Sequence, residues 1–211
     1  MKYLLFDVAG TLLHKPSFYL KVAEVLNSSG FNIDEKTIKY NHKILSESII
    51  FPDRTNKEFY RVFNKELLYS FGIIAHDELL ENIFNKCSYL PWEKFEDTTF
   101  LSEIKLPMGI ISNFNSSLKE KIILHFDVQF SNIFVSEELG VAKPSPEFYQ
   151  KALKIIGIEP SEILYVGDSI KLDVEPAKKL GINAYLIDRE GYFLNHKNRI
   201  SILSEIKKLI D

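Results

Sequence analysis

The stretch YLLFDVAGTLL, at residues 3–13, decides the fold. Residues 3–8 form a short apolar run in which the carboxylate of Asp7 is the one charged group, and Gly10 follows as a turn signal. A run this short, bounded by a glycine, favours a buried strand over a helix. We therefore predict that the fold begins with a buried strand whose carboxyl end presents Asp7.

Four further short runs share these properties and alternate with helical segments. Each is rich in β-branched or aromatic residues and is followed by a turn or helix signal. Strands that alternate with helices are typical of a parallel sheet built from βαβ units. The runs cover residues 108–112, 133–136, 163–166 and 184–187.

Glycines are scarce between residues 11 and 106, where only Gly30 and Gly72 occur. Apolar residues recur there at helical spacing, which predicts a helical module over about residues 16–89. The sequence therefore predicts an α/β protein whose core, residues 1–14 and 91–211, is interrupted after its first strand by a helical domain, residues 15–90.

Polar side chains follow the carboxyl ends of these strands, where open parallel sheets bind their ligands. Asp7, Asp168 and Asp173 bring carboxylates, while Ser112 and Lys143 bring a hydroxyl and an ammonium group. Converging carboxylates repel one another unless a cation joins them, and Mg²⁺ prefers oxygen ligands while leaving positions open for phosphate oxygens. A carboxylate can also attack phosphorus and form an aspartyl-phosphate. The pattern indicates a site for Mg²⁺ and a phosphate group.

Four segments, in this order, resemble the motifs of the haloacid dehalogenase superfamily of hydrolases. Any one of them is a weak signal, but four in order are a strong one. The resemblance implies a Rossmann-like core with a helical cap, similar to the subgroup of phosphoglycolate phosphatases, haloacid dehalogenases and phosphonoacetaldehyde hydrolase. The segments are FDVAGTLL at 6–13, IISNF at 110–114, GVAKPSPEFYQKAL at 140–153 and VGDSIKLD at 166–173.

The resemblance also implies roles for the residues at the site. Asp7 is expected to be the nucleophile and a metal ligand, with Lys143 as its catalytic partner. The backbone carbonyl of Ala9 and the carboxylate of Asp168 are two further expected Mg²⁺ ligands, and Asp173 is also expected at the metal site. Asp173 is expected to steady Lys143 or a metal-bound water, although it could instead cap the helix that follows.

The phosphate group is expected to be held by Ser112, Asn113 and Lys143, although Ser112 could simply close a turn. Together these roles imply a Mg²⁺-dependent phosphohydrolase that acts on a small phosphorylated metabolite. The resemblance does not name the substrate, and the oligomeric state cannot be read from the sequence.

One position departs from the family pattern. Phosphatases of this superfamily usually carry a second aspartate, the general acid, where this chain has Ala9. His14, at the expected junction of core and cap, could supply the missing proton or could be only a hinge residue. Arg54 could reach a substrate anion or could be an ordinary loop arginine. Weak phosphatase activity is therefore expected. The alternatives are a non-catalytic protein that binds phosphate or a protein partner, and a haloacid dehalogenase-like or phosphonoacetaldehyde hydrolase-like enzyme.

Composition narrows the class of protein further. The 26 basic and 29 acidic residues leave a formal net charge of −3, which argues against nucleic acid as the main partner. The sequence contains no run of about 18 apolar residues, so no membrane span is expected. The single cysteine, Cys87, excludes an intrachain disulfide and fits a reducing, cytoplasmic location.

Overall fold

The computed structural model describes residues 1–49 and 56–210 of the 211-residue chain. Strands β1 to β8 span Tyr3–Phe6, Leu13–His14, Glu93–Lys94, Met108–Ser112, Asn132–Val135, Ile163–Gly167, Asn183–Ile187 and Arg199–Ile200. Helices α1 to α9 span Phe18–Ser28, Glu35–Ser48, Lys57–Ser70, Asp77–Cys87, Leu118–His125, Ser136–Leu139, Pro146–Ile156, Glu175–Lys179 and Lys207–Ile210. Short 3₁₀ helices cover Glu96–Glu103, Pro160–Glu162 and Leu203–Ile206, and a π-helical turn covers Ile170–Val174.

Six strands form one parallel sheet in the order β5-β4-β1-β6-β7-β8, which confirms the predicted α/β class. Every residue of β1, β4 and β6 is buried, as expected for central strands of a sheet covered on both faces. The strand order changes direction beside β1, because β4 and β5 extend on one side of it and β6 to β8 on the other. Such a switch point leaves a crevice at the carboxyl ends of the strands.

The first strand is shorter than the predicted run of residues 3–8. It ends at Phe6, because the carbonyl of Val8 accepts the backbone N–H groups of Thr11, Leu12 and Leu13 and so closes a tight loop. The sheet register pairs Phe6 with Ile110 on β4 and with Val166 on β6. This register brings the ends of three strands to nearly the same level.

By compactness the chain divides into two units, Met1–His14 with Lys94–Asp211 and Lys15–Glu93. The core of the first unit packs the sheet against α7 and α8, through residues such as Tyr165, Phe148 and Ala177. The role of residues 15–90 as a cap stays a prediction.

The second unit is helical among its described residues, and α1 packs against both α2 and α4. Helices α2 and α3 begin where side chains accept otherwise unpaired N–H groups, as Asp34 does for Thr37 at 3.0 Å and Asn56 does for Phe59 at 2.8 Å. None of the described helices is both long and apolar enough to cross a membrane.

Candidate active site

A buried ion-pair cluster joins three segments at the carboxyl edge of the sheet. Lys143, in the loop before α7, places its Nζ 2.6 Å from Asp7 Oδ1 and 2.6 Å from Asp173 Oδ1. Asp7 directly follows β1, and Asp173 lies in the π-helical turn after β6. The exposed fractions of Asp7, Lys143 and Asp173 are only 4%, 5% and 1%. The structure therefore brings together three residues that the sequence predicted to share a site.

Burial and charge act on Asp7 and Lys143 in different ways. Burial raises the pKa of Asp7 to about 7, and Lys143 opposes this rise while Asp173 and Asp168 add to it. Burial alone would lower the pKa of Lys143, but the carboxylates of Asp173 and Asp7 outweigh it and hold that pKa above its usual value. Lys143 is therefore a permanent cation, and Asp7 is a carboxylate whose proton leaves near neutral pH.

Asp173 is held from three sides. Its Oδ1 accepts a hydrogen bond from the Tyr165 hydroxyl at 2.6 Å as well as the one from Lys143, and its Oδ2 accepts from the Ser169 N–H at 3.0 Å. A Cβ atom at Gly167 would overlap the Asp173 side chain, so only glycine allows this approach. The N–H of Leu172 donates a hydrogen bond to the hydroxyl oxygen of Ser169. Ser169 therefore caps this turn, and α8, the helix that Asp173 was considered to cap, begins without a side-chain cap.

Asn113 holds the main chain of Lys143 rather than presenting a free amide. Its Oδ1 accepts from the Lys143 N–H at 2.7 Å, and its Nδ2 donates to the Lys143 carbonyl at 2.9 Å. Ser112, 2% exposed, lies one residue beyond the level of Asp7 in the register of β4 with β1. The roles of Ser112 and Asn113 in binding phosphate stay predictions.

The carboxylate of Asp168 completes a candidate metal site. One oxygen from each of Asp7, Asp168 and Asp173 lies within 4.8 Å of the other two. Gly10 has a positive φ of 84°, and a Cβ there would overlap Asp168 Oδ2, so the loop can approach this carboxylate only with glycine. Ala9, whose carbonyl is the remaining predicted ligand, is exposed.

His14 and Arg54 are two residues outside the four motifs for which the sequence suggested a role. The ring of His14 stacks on Phe95, with centroids 4.0 Å apart and an angle of 11° between the planes. This packing suits a hinge residue, and its role as a proton donor stays a prediction. Arg54, considered as a contact for a substrate anion, lies outside the described residues.

Sequence reasoning missed Tyr165 and Arg189. Tyr165 is fully buried in β6, and a tyrosine hydroxyl inside a buried strand requires a partner, which is a signal the sequence offered. Arg189 lies two residues beyond the end of β7 and donates to the carbonyls of Gly10 and Thr11. Its position at a strand end was visible in the sequence, but its partners were not.

Two known proteins illustrate the sequence similarity of this chain to its relatives. The protein of Danio rerio named haloacid dehalogenase-like hydrolase domain-containing protein 3 is 34% identical over 121 residues, 54% of this chain and 50% of that protein. A Methanocaldococcus jannaschii protein named glyceraldehyde 3-phosphate phosphatase is 27% identical over 196 residues, 86% of this chain and 82% of that protein. This chain thus spans half the length of the first relative and most of the second.

A solved structure and a family model agree with these relatives. The structure of the HAD-hydrolase YfnB from Bacillus subtilis, bound to magnesium, has the same fold, with a TM-score of 0.68 and 20% identity over 99% of this chain and 98% of that one. The family model for haloacid dehalogenase-like hydrolases matches residues 1–181, which include all four motifs. This chain therefore belongs to the haloacid dehalogenase-like hydrolases.

Proposed function

We propose that this protein is a Mg²⁺-dependent phosphohydrolase that acts on a small phosphorylated metabolite through an aspartyl-phosphate on Asp7. The observation that carries the proposal is the buried contact of 2.6 Å between Lys143 Nζ and Asp7 Oδ1. A carboxylate placed beside a permanent cation at the crevice of a parallel sheet is suited to attack an anionic phosphate group.

The proposed reaction has two steps. In the first, a carboxylate oxygen of Asp7 forms a bond to phosphorus while the bond from phosphorus to the leaving oxygen breaks, and the departing oxyanion takes a proton from solvent. In the second, water attacks phosphorus and gives up a proton to solvent, the bond to Asp7 breaks, and inorganic phosphate leaves with the carboxylate regenerated. Lys143 stabilises the negative charge that spreads over the phosphate oxygens, and Asp173 keeps the ammonium in place.

The residues present fit a divalent cation. Three carboxylates and one ammonium leave two negative charges on the ionised cluster of Asp7, Asp168, Asp173 and Lys143. The candidate ligand atoms of these three residues are all oxygens, which suits Mg²⁺. Asp7 and Asp168 would hold the ion with the Ala9 carbonyl, while the oxygens of Asp173 already accept from Lys143, Tyr165 and Ser169. Bound Mg²⁺ would supply positive charge beside the phosphate.

The substrate class and location are further parts of this proposal. The Methanocaldococcus jannaschii relative that matches 86% of this chain carries the name of a phosphatase for a three-carbon sugar phosphate, which supports a small phosphorylated metabolite as the substrate. Residues 15–90 would then select the substrate as a cap. The cytoplasmic location expected from the cysteine content stays a prediction.

A phosphatase screen tests the proposal. Phosphate release from a panel of phosphorylated metabolites is measured with Mg²⁺ and with EDTA, for the parent, for Asp7→Asn and for a control, Asp127→Asn, at an exposed carboxylate. We expect Mg²⁺-dependent release by the parent and the control, and a loss of about 10⁴-fold or more in Asp7→Asn.

Other outcomes would support the alternatives. Equal release by Asp7→Asn and the parent would remove Asp7 from the mechanism. Absence of turnover across the panel would favour a non-catalytic binding protein. Halide release from a 2-haloacid in EDTA would favour a dehalogenase.

A further inference from the structure

The guanidinium group of Arg189 joins two parts of the core unit that are far apart in sequence. It donates to both carboxylate oxygens of Asp97, from Nε at 3.0 Å and from Nη2 at 2.8 Å. It also donates to two consecutive backbone carbonyls, Gly10 from Nη1 at 3.1 Å and Thr11 from Nη2 at 2.9 Å. Arg189 therefore holds the loop that follows the proposed nucleophile.

Arg189 is itself held rigidly. Its guanidinium lies 3.8 Å from the ring centroid of Phe95, and Asp97 Oδ2 also accepts the Leu203 N–H at 3.1 Å. The side chains of Arg189 and Asp97 are only 16% and 17% exposed. The pair is neutral overall, so it adds little net charge to the site, and what it contributes is geometry.

The loop held by Arg189 also contacts Asp7. The Thr11 hydroxyl lies 3.4 Å from Asp7 Oδ2, and Arg189 binds the backbone carbonyl of the same threonine. The N–H groups of the loop bond internally, as those of Thr11 and Leu12 do to the Val8 carbonyl. The carbonyls of Gly10 and Thr11 are instead turned towards Arg189, which provides their donors.

We propose that Arg189 is a positioning residue that fixes the Gly10–Thr11 segment and, through Thr11, the carboxylate of Asp7. The proposal rests on the proposed function, in which Asp7 attacks phosphorus. The four hydrogen bonds and the ring stacking need a planar fork of donors, so lysine at this position would keep the charge but not the geometry. The interaction acts on the orientation of the nucleophile, which governs kcat more than substrate affinity.

Kinetic measurements on the full chain test this role. We expect Arg189→Ala and Arg189→Lys both to lower kcat by about 10- to 100-fold while KM changes by less than about threefold. Added methylguanidinium should restore part of kcat in Arg189→Ala but not in Arg189→Lys. The matched control is Arg199→Ala, another partly buried arginine paired with an aspartate, Asp188, which should keep the parent kcat. An unchanged kcat in folded Arg189→Ala, or full activity in Arg189→Lys, would overturn the proposal.

Hydrogen exchange gives a readout that does not depend on turnover. The amides of residues 11–13 should exchange faster in Arg189→Ala than in the parent, and at the parent rate in Arg199→Ala. If Arg189→Ala does not fold, Asp97→Asn weakens the same fork and should give smaller changes of the same sign. Unchanged exchange would contradict the role of Arg189. A parent without phosphatase activity would contradict the proposed function instead, and the exchange result would still decide whether Arg189 holds the loop.

Discussion

Lys143 Nζ lies 2.6 Å from Asp7 Oδ1, although the two residues are 136 positions apart in the chain. The contact is buried, and the same ammonium reaches Asp173 at 2.6 Å. Taking these charges out of water is costly, and a buried pair is weak evidence for stability. A costly cluster at the crevice of a parallel sheet is therefore better explained by function than by stability.

The first prediction concerns pH and Asp7. Its pKa is raised from 3.8 to about 7, so between these pH values the folded protein binds more protons at this site than the unfolded chain does. The contribution of Asp7 to the free energy of unfolding therefore falls as pH rises from about 4 to 7, by at most about 1.4 kcal/mol per pH unit, and is constant above. The Asp7→Asn variant has no carboxyl group at this position, so its free energy of unfolding does not fall in this way as pH rises. Urea unfolding in EDTA should show the stability of Asp7→Asn relative to the parent increasing across that window. The same difference should stay flat for Asp127→Asn, and a flat difference for Asp7→Asn would contradict the raised pKa.

The second prediction concerns the removal of the buried cation. Lys143→Met keeps the length of the side chain but leaves Asp7 and Asp173 without it, which should lower the free energy of unfolding by about 3–5 kcal/mol at pH 8. The loss should be smaller at pH 5.5, because Asp7 can then take up a proton. Lys207→Met is the control, since its ion pair with Glu103 is exposed and should contribute about 0–1 kcal/mol. Equal losses of unfolding free energy for the two variants in urea would show that the buried cluster depends on its cation no more than an exposed ion pair does.

The third prediction concerns Mg²⁺. Asp168→Asn keeps the shape of the side chain but removes one negative charge beside Asp7. We expect Mg²⁺ affinity, measured by calorimetry, to fall at least about tenfold, a loss typical even of residues outside the ligand shell. EDTA should abolish turnover by the parent, and Glu162→Gln, at an exposed ion pair, should bind Mg²⁺ as the parent does. Full activity in EDTA would indicate a metal-free hydrolase.

The fourth prediction follows from Ala9. A positioned general acid typically contributes about 10²–10⁴-fold, and the resemblance implies that this chain lacks the usual one. The parent should therefore hydrolyse aryl and acyl phosphates, whose leaving groups need little protonation, faster than alkyl phosphates. Ala9 is exposed, so Ala9→Asp should fit and raise kcat/KM on alkyl phosphates most. If the parent shows no dependence on leaving-group pKa and turns over alkyl phosphates quickly, another acid is present, and His14→Asn would then test the first candidate.

The sequence alone predicted the sheet and the residues at its edge. Apolar runs, scarce glycines and four motifs predicted the parallel strands, the helical block and the placement of Asp7, Lys143 and Asp168. These are local properties, because strand periodicity and turn residues act over a few positions. The short edge strand β8, Arg199–Ile200, was not predicted, since two residues carry no periodic signal.

Only the tertiary structure decided which groups meet. The Asn113 amide binds the main chain of Lys143, Tyr165 supports Asp173, and Arg189 holds the loop beside Asp7. These partners depend on strand order, register and the path of loops between distant segments, which residue spacing does not encode. The chemical groups at the strand ends therefore follow from the sequence, whereas their pairing, burial and shifted pKa values follow from the way the sheet brings those ends together.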